Sequence, residues 1–137
     1  MVRYAMERWD DTTGVIPSFR MHDFRRLKVW QLARTYAIEV DTLVRAFPRA
    51  DRGVVANQLR RAVLSVPANI AEGCGKSSRR ESIRFLEIAS GSATEAEHHI
   101  GIALDLGYIP AAHRDPLIQR ASSIQRMLRG LIANFPE

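Results

Sequence analysis

Apolar residues recur at steps of three and four positions along most of the chain, which is the spacing of one face of an α-helix. The pattern predicts four helices, over about 24–47, 51–73, 78–106 and 111–134. Pro48, the stretch 73–77 and Gly107 separate them, and prolines and glycines commonly lie where helices end. Four helices of this length with short connections predict an all-α fold, an up-down-up-down antiparallel four-helix bundle.

The first predicted helix carries two apolar stripes. The main stripe, which indicates the core face, consists of Leu27, Trp30, Ala33, Ala37, Val40, Val44 and Phe47. A second stripe recurs every seven residues on another face and consists of Val29, Tyr36 and Leu43. A helix that is apolar on two faces either is deeply buried or contacts a second subunit.

The second predicted helix combines a core stripe with a polar face. The core stripe is Val55, Leu59, Val63, Val66 and Ile70, and the polar face is Gln58, Arg61, Ser65, Asn69 and Glu72. Pro67 lies inside this helix, where a proline costs about 3 kcal/mol. The polar face is either solvated or packed as a seam against a neighbouring helix or subunit. The proline favours the seam, because Ser65 and Asn69 could satisfy carbonyls freed near it. We therefore predict a structural or interface role for Gln58, Ser65, Pro67, Asn69, Glu72 and Gly73.

The third predicted helix begins with Ser78 and Glu81, the spacing of a capping box. Small residues at its centre, 89–93, would let another helix come close. The fourth helix has a bundle-type seam of Leu117, Ala121, Ile124, Leu128, Leu131 and Phe135. Its start is open, because Pro110 and the pair Asp115-Pro116 are both good N-terminal signals.

The chain divides into a predicted flexible N-terminal tail, 1–22, and a bundle domain, 23–137. Met21 just precedes the periodic pattern, so we consider it as an alternative start. Cys74 is the single cysteine, which excludes a disulfide within the chain and fits a cytoplasmic protein. The apolar runs are too short to span a bilayer, so no membrane association is expected.

Positive charge is concentrated in one part of the sequence. Residues 49–84 hold eight basic and three acidic side chains, which account for the whole formal net charge of +5. Elsewhere the chain has 12 basic and 12 acidic residues. Arginine pairs well with phosphate, so the segment is compatible with nucleic-acid binding, although surface arginines are more often solvated or paired.

Sequence motifs give little support for catalysis. Gly75-Lys76-Ser77 resembles the end of a phosphate-binding loop, but Ile70 replaces the required glycine and a helix rather than a strand precedes it. Glu95 and His98 have the spacing of a di-iron motif, but such sites need two motifs. Cys74 has no nearby histidine to act as a base. We therefore expect no enzyme, no cofactor and no metal site.

The residues from Phe24 onward resemble the family of 23S ribosomal RNA intervening-sequence proteins, which are four-helix bundles. They are also similar to the accessory variability determinant of diversity-generating retroelements. The matching stretches are 27–30, Phe47-Pro48, 58–62, 65–73, 85–92 with Glu95, and 106–108. This chain departs from the pattern at Ala93-Thr94, where a leucine commonly follows Ser92.

The resemblance implies a homopentamer without known catalysis, with RNA or DNA and a reverse transcriptase as partners. It also implies a basic surface for nucleic acid, formed by Arg60, Arg61, Lys76, Arg79, Arg80 and Arg84. Two hypotheses follow from the sequence. The protein is either an oligomeric RNA- or DNA-binding accessory factor, or a structural homo-oligomeric assembly module whose arginines pair with acids across subunits.

Overall fold

The computed structural model of the chain describes residues 23–135, apart from the side chains at positions 51 and 52. The predicted tail 1–22 and Met21 lie outside the described residues. The described part folds into four α-helices, as the sequence predicts. They are α1 (Lys28–Val44), α2 (Asn57–Cys74), α3 (Arg79–Asp105) and α4 (Arg114–Ala133).

Three of the predicted helices begin later than expected, because short turns precede them. A 3₁₀ turn, Phe24–Arg26, comes before α1, and another, Ala111–His113, comes before α4. A 3₁₀ turn and a π-helical turn, Arg49–Asp51 and Arg52–Ala56, come before α2. Periodicity could not separate such turns from α-helix, since both place apolar residues three to five positions apart.

The ends of α3 use the caps that the sequence predicts. The Ser78 hydroxyl accepts a hydrogen bond from the amide of Glu81 at 3.2 Å. At the other end Gly107 has a φ of +74°, which favours glycine. The amide of Tyr108 then donates to the carbonyl of Ala103 at 2.9 Å, which closes a Schellman motif.

Consecutive helices pack against each other, and α1 also packs against α4. Phe47 and Tyr108, which follow α1 and α3, lie with ring centroids 5.4 Å apart at one end of the bundle. At the other end Gly73 of α2 lies against Ser82 of α3. These contacts fix the up-down order, in which neighbouring helices run antiparallel.

The core contains the stripes predicted for α1, α2 and α4, although Trp30 of the α1 stripe is only partly buried. The α2 and α4 stripes are buried except for Val55, which is partly exposed. Val29 and Tyr36 from the second α1 stripe are also buried, and Leu43 packs against the core. Deep burial therefore explains why α1 is apolar on two faces.

The small residues at the centre of α3 contact two different helices. Ser92 shares a hydrogen bond with Ser65 of α2 at 2.9 Å. Ser90 donates to the side chain of Gln125 in α4 at 3.0 Å. Gly91 faces open space, so close helix approach is not its role.

Candidate functional site

The antiparallel order brings two basic stretches of the sequence to the same end of the bundle. The turn before α1 contacts α2. Gly73, near the end of α2, lies against Ser82 and Phe85 at the start of α3. Segments 23–30 and 72–85 therefore lie together, and we refer to them as the basic end.

The basic end holds seven basic and three acidic side chains. The basic ones are Arg25, Arg26, Lys28, Lys76, Arg79, Arg80 and Arg84, and the acidic ones are Asp23, Glu72 and Glu81. The end of α4 that lies beside them, 130–135, carries no charged residue. The opposite end, formed by 41–57 and 105–116, has four basic and four acidic residues. Within residues 23–135, positive charge is thus concentrated at one end of the bundle.

Two cations of the basic end lie close to Phe85. Lys76 Nζ is 4.8 Å from the ring centroid, and Arg84 Cζ is 5.7 Å from it. Their acidic neighbours are at the outer limit for ion pairs, with Lys76–Glu72 and Arg84–Glu81 both at 3.7 Å. Such exposed pairs are worth little, so these charges can still attract an anion.

Arg79 and Arg80 open α3 and are exposed. Within residues 23–135 neither has an acidic side chain in ion-pair range. The amides of the first turn of a helix also attract negative charge, so both guanidinium groups lie where an anion is favoured.

The structure separates Arg60 and Arg61 from this cluster and from each other. Arg60 Nε lies 2.7 Å from a carboxylate oxygen of Asp41 in α1. Arg61 lines a groove on the α3 side of α2. At 1.5 Å per residue, Arg61 is about 20 Å along the helix from the end of α2. The basic segment of the sequence is therefore not one continuous surface.

Sequence reasoning missed Arg25, Arg26 and Lys28. They fall in the part of the sequence whose total charge is balanced, so a count by segment does not reveal them. The predicted up-down order could have found them, because it places the start of the first helix beside the end of the second.

Two members of the predicted polar face form a packed seam between α2 and α3. The side-chain amide of Asn69 donates to the carbonyl and to the hydroxyl of Ser65, both at 2.8 Å. The Ser65 hydroxyl in turn bonds to Ser92. Pro67 leaves the carbonyl of Val63 without its helical donor, whereas Asn69 binds the carbonyl of Ser65. The side chains of Ser65 and Asn69 therefore bond to each other and to α3, and neither is seen to bind the carbonyl that Pro67 frees.

The remaining members of the polar face are exposed. Glu72 pairs weakly with Lys76, which lies two residues beyond the end of α2. Gln58 and Arg61 line a polar groove of about 310 Å³ between α2 and α3, together with Ser65, Ser92 and Glu95. Glu95 also hydrogen-bonds His99 at 3.2 Å.

An open pocket of about 450 Å³ lies between α1, α3 and α4. Tyr36 lines it, and its buried hydroxyl has no hydrogen-bond partner within residues 23–135. Burial raises the pKa of this phenol, and the nearby carboxylate of Glu97 raises it further. The tyrosine is thus a neutral core residue at neutral pH.

Cys74 and His98 are among the side chains weighed for catalysis. Cys74 is buried, and burial together with the charge of Asp23 raises the pKa of its thiol to about 12. His98 packs edge-on against His99, with ring centroids 5.2 Å apart. Within residues 23–135 no three metal-binding side chains come together.

The sequence has a family match that covers most of the described bundle. The model of the 23S rRNA-intervening sequence protein family matches residues 25–130. The chain belongs to this family. A comparison with curated proteins returns no match.

Both segments of the basic end lie almost entirely inside the family match, which begins at Arg25. The charge concentration therefore lies almost entirely within the part of the chain that the family model matches. Among residues 23–135 of this family member, no helix is both long and apolar enough to cross a membrane.

Proposed function

We propose that this protein is a non-catalytic accessory factor that binds RNA or DNA as a homo-oligomer, a pentamer by family resemblance. The main support for this proposal is the concentration of positive charge at one end of the bundle, with seven basic and three acidic side chains. Arginines there would contact phosphates without selecting a base sequence.

The ion pairs of each basic residue indicate how much it would contribute to nucleic-acid binding. Arg79 and Arg80 have no acidic partner within residues 23–135 and lie at the first turn of α3. We expect them to contribute most, followed by Lys76 and Arg84. Arg60 contributes least, since Asp41 already neutralises it at 2.7 Å.

The test is fluorescence anisotropy with labelled structured RNA over a range of salt concentrations. Affinity should fall steeply with salt, because each phosphate contact releases a counterion. The variant Arg79→Gln/Arg80→Gln should weaken binding and reduce the slope of log K against log salt by about 1.4 to 1.8.

Arg49→Gln is the matched control, because it removes an exposed arginine from the opposite end. It should leave affinity and salt slope unchanged. Absence of binding to structured RNA or DNA at low salt would refute the proposal. A reverse transcriptase gene or an interrupted 23S rRNA gene beside this one would identify the natural partner.

A structural assembly module is the second candidate function. It is favoured by large apolar side chains on the outer surface, among them Leu64 and Ile88, which are 49% and 40% exposed. Each lies one helical turn from a residue of the polar groove, Arg61 and Ser92 respectively. This surface could therefore bury apolar area against another copy.

Light scattering separates the two functions. If assembly depends on arginine–acid pairs between subunits, Arg61→Ala or Glu72→Ala should lower the oligomer mass. An unchanged pentamer would count against this role. Loss of RNA binding in Arg79→Gln/Arg80→Gln with unchanged mass would favour the first function.

A further inference from the structure

Phe85 is a partly exposed aromatic residue in the second turn of α3, at the basic end. Gly73 allows it to lie against α2, since a Cβ at Gly73 would be 3.2 Å from the Phe85 Cβ. Lys76 and Arg84 flank its ring at 4.8 and 5.7 Å. An aromatic ring is thus fixed among cations on the protein surface.

The cations around this ring can change partners at little cost. Lys76 and Arg84 are each held by one carboxylate at 3.7 Å, and all four side chains are at least one-third exposed. Ion pairs of this kind contribute about 0–1 kcal/mol. A phosphate could therefore draw either cation away and leave the ring face open.

A second aromatic cluster lies at the same end. The rings of Phe24 and Trp30 have centroids 5.0 Å apart, and Arg25 Cζ lies 4.6 Å from the Phe24 ring. Both rings are partly exposed. The basic end therefore interleaves three aromatic residues with its arginines and lysines.

Aromatic side chains placed among cations are suited to binding single-stranded nucleic acid. Positively charged grooves with aromatic side chains bind single strands, because unpaired bases stack on the rings while phosphates pair with the cations. A duplex hides the faces of its bases, so it could use the charges but not the rings. Stacking tolerates every base and so requires no sequence selectivity.

We propose that the basic end is a single-strand site, in which an unpaired base stacks on Phe85 while Arg79 and Arg80 hold the adjoining phosphates. This rests on the proposed nucleic-acid function and specifies its ligand as unpaired RNA or DNA. Phe24 and Trp30 are further partly exposed rings at this end of the bundle.

The main experiment compares labelled single-stranded RNA and DNA 12-mers with blunt duplexes of the same sequence. The wild-type protein should bind the single strands more tightly. Phe85→Leu keeps an apolar side chain but removes the ring, so it should weaken single-strand binding by about 5- to 150-fold, the range of one base–aromatic stack. Duplex binding should change less than about 2-fold.

Two further variants control this result. Phe85→Trp should restore single-strand binding. Tyr108→Leu removes a partly exposed ring at the opposite end and should leave binding unchanged. Chemical unfolding of Phe85→Leu checks that the bundle is intact.

Tryptophan fluorescence gives an independent readout. The chain has two tryptophans, so Trp9→Phe leaves Trp30 as the single reporter. Its emission should be quenched by single-stranded RNA more than by duplex.

The outcomes separate the two proposals. Equal affinity for single strands and duplexes, with a folded Phe85→Leu variant that binds as wild type, would overturn the stacking site while leaving phosphate binding in place. No binding of either form at low salt would refute both.

Discussion

Asp41 of α1 and Arg60 of α2 form an ion pair, with Arg60 Nε 2.7 Å from Asp41 Oδ1. Asp41 also accepts a hydrogen bond from Arg45 at 3.1 Å. The pair joins two helices, and its arginine is one that the family resemblance assigned to nucleic-acid binding. Arg60 and Arg61 are adjacent in sequence, yet their side chains line different grooves.

Replacing Arg60 should therefore affect stability rather than binding. Arg60→Ala should lower the free energy of unfolding by about 0.2–1 kcal/mol, since the Arg60 side chain is about half exposed to solvent. RNA affinity in the anisotropy assay should stay near the wild-type value, in contrast to Arg79→Gln/Arg80→Gln. A loss of RNA affinity as large as in that double variant would contradict this assignment.

Gly73 should not tolerate a side chain. A Cβ there would lie 3.1 Å from the backbone carbonyl oxygen of Ser82, which cannot move without shifting α3. Gly73→Ala should lower the free energy of unfolding by about 1–3 kcal/mol in urea titrations. Gly91→Ala is the matched control, because a Cβ there meets open space. It should raise stability by about 0.5–1 kcal/mol.

The two serines that join α2 and α3 should be energetically coupled. A double-mutant cycle with Ser65→Ala and Ser92→Ala should give a coupling of about 0.5–1.5 kcal/mol, the range of one hydrogen bond. Ser90 faces Gln125 of α4 instead, so a cycle of Ser65→Ala with Ser90→Ala should be additive. Additivity in the first cycle would show that the seam contributes nothing measurable.

The thiol of Cys74 should be inert in the folded protein. Its pKa is raised to about 12, whereas an unfolded cysteine titrates at about 8.5. At pH 8 a disulfide reagent should react at least about 100-fold more slowly with the folded chain than with the urea-unfolded chain. Fast labelling of the native protein would contradict the burial.

The same shift predicts how stability depends on pH. The folded state keeps the Cys74 proton at pH values where the unfolded state releases it. This contribution is complete below about pH 8.5 and is lost as the pH rises from there towards 12. Cys74→Ala should flatten the decline of unfolding free energy between pH 8.5 and 10.

Local patterns determined the helices and their core faces. The stripe of α4 from Leu117 to Phe135 is buried as its spacing indicates, because a helix that packs on one side must repeat apolar residues at that period. Ser78 and Gly107 cap α3 as predicted, because capping depends on residues within one turn. The turns before α1, α2 and α4 were not predicted, since their periodicity is nearly helical.

The basic end could not be predicted from local sequence patterns, because it depends on contacts between residues that are far apart in the sequence. The sequence grouped Arg60 with Lys76 because they are close along the chain, but about 21 Å of helix separates Arg60 from the end of α2 that precedes Lys76. It also left out Arg25, which antiparallel packing brings to the same end as Arg79. By itself the sequence determined four amphipathic helices and the family to which they belong. Only the tertiary structure decided which charges share a surface and which are neutralised, because that depends on the direction in which each helix runs and on the partner that its neighbour supplies.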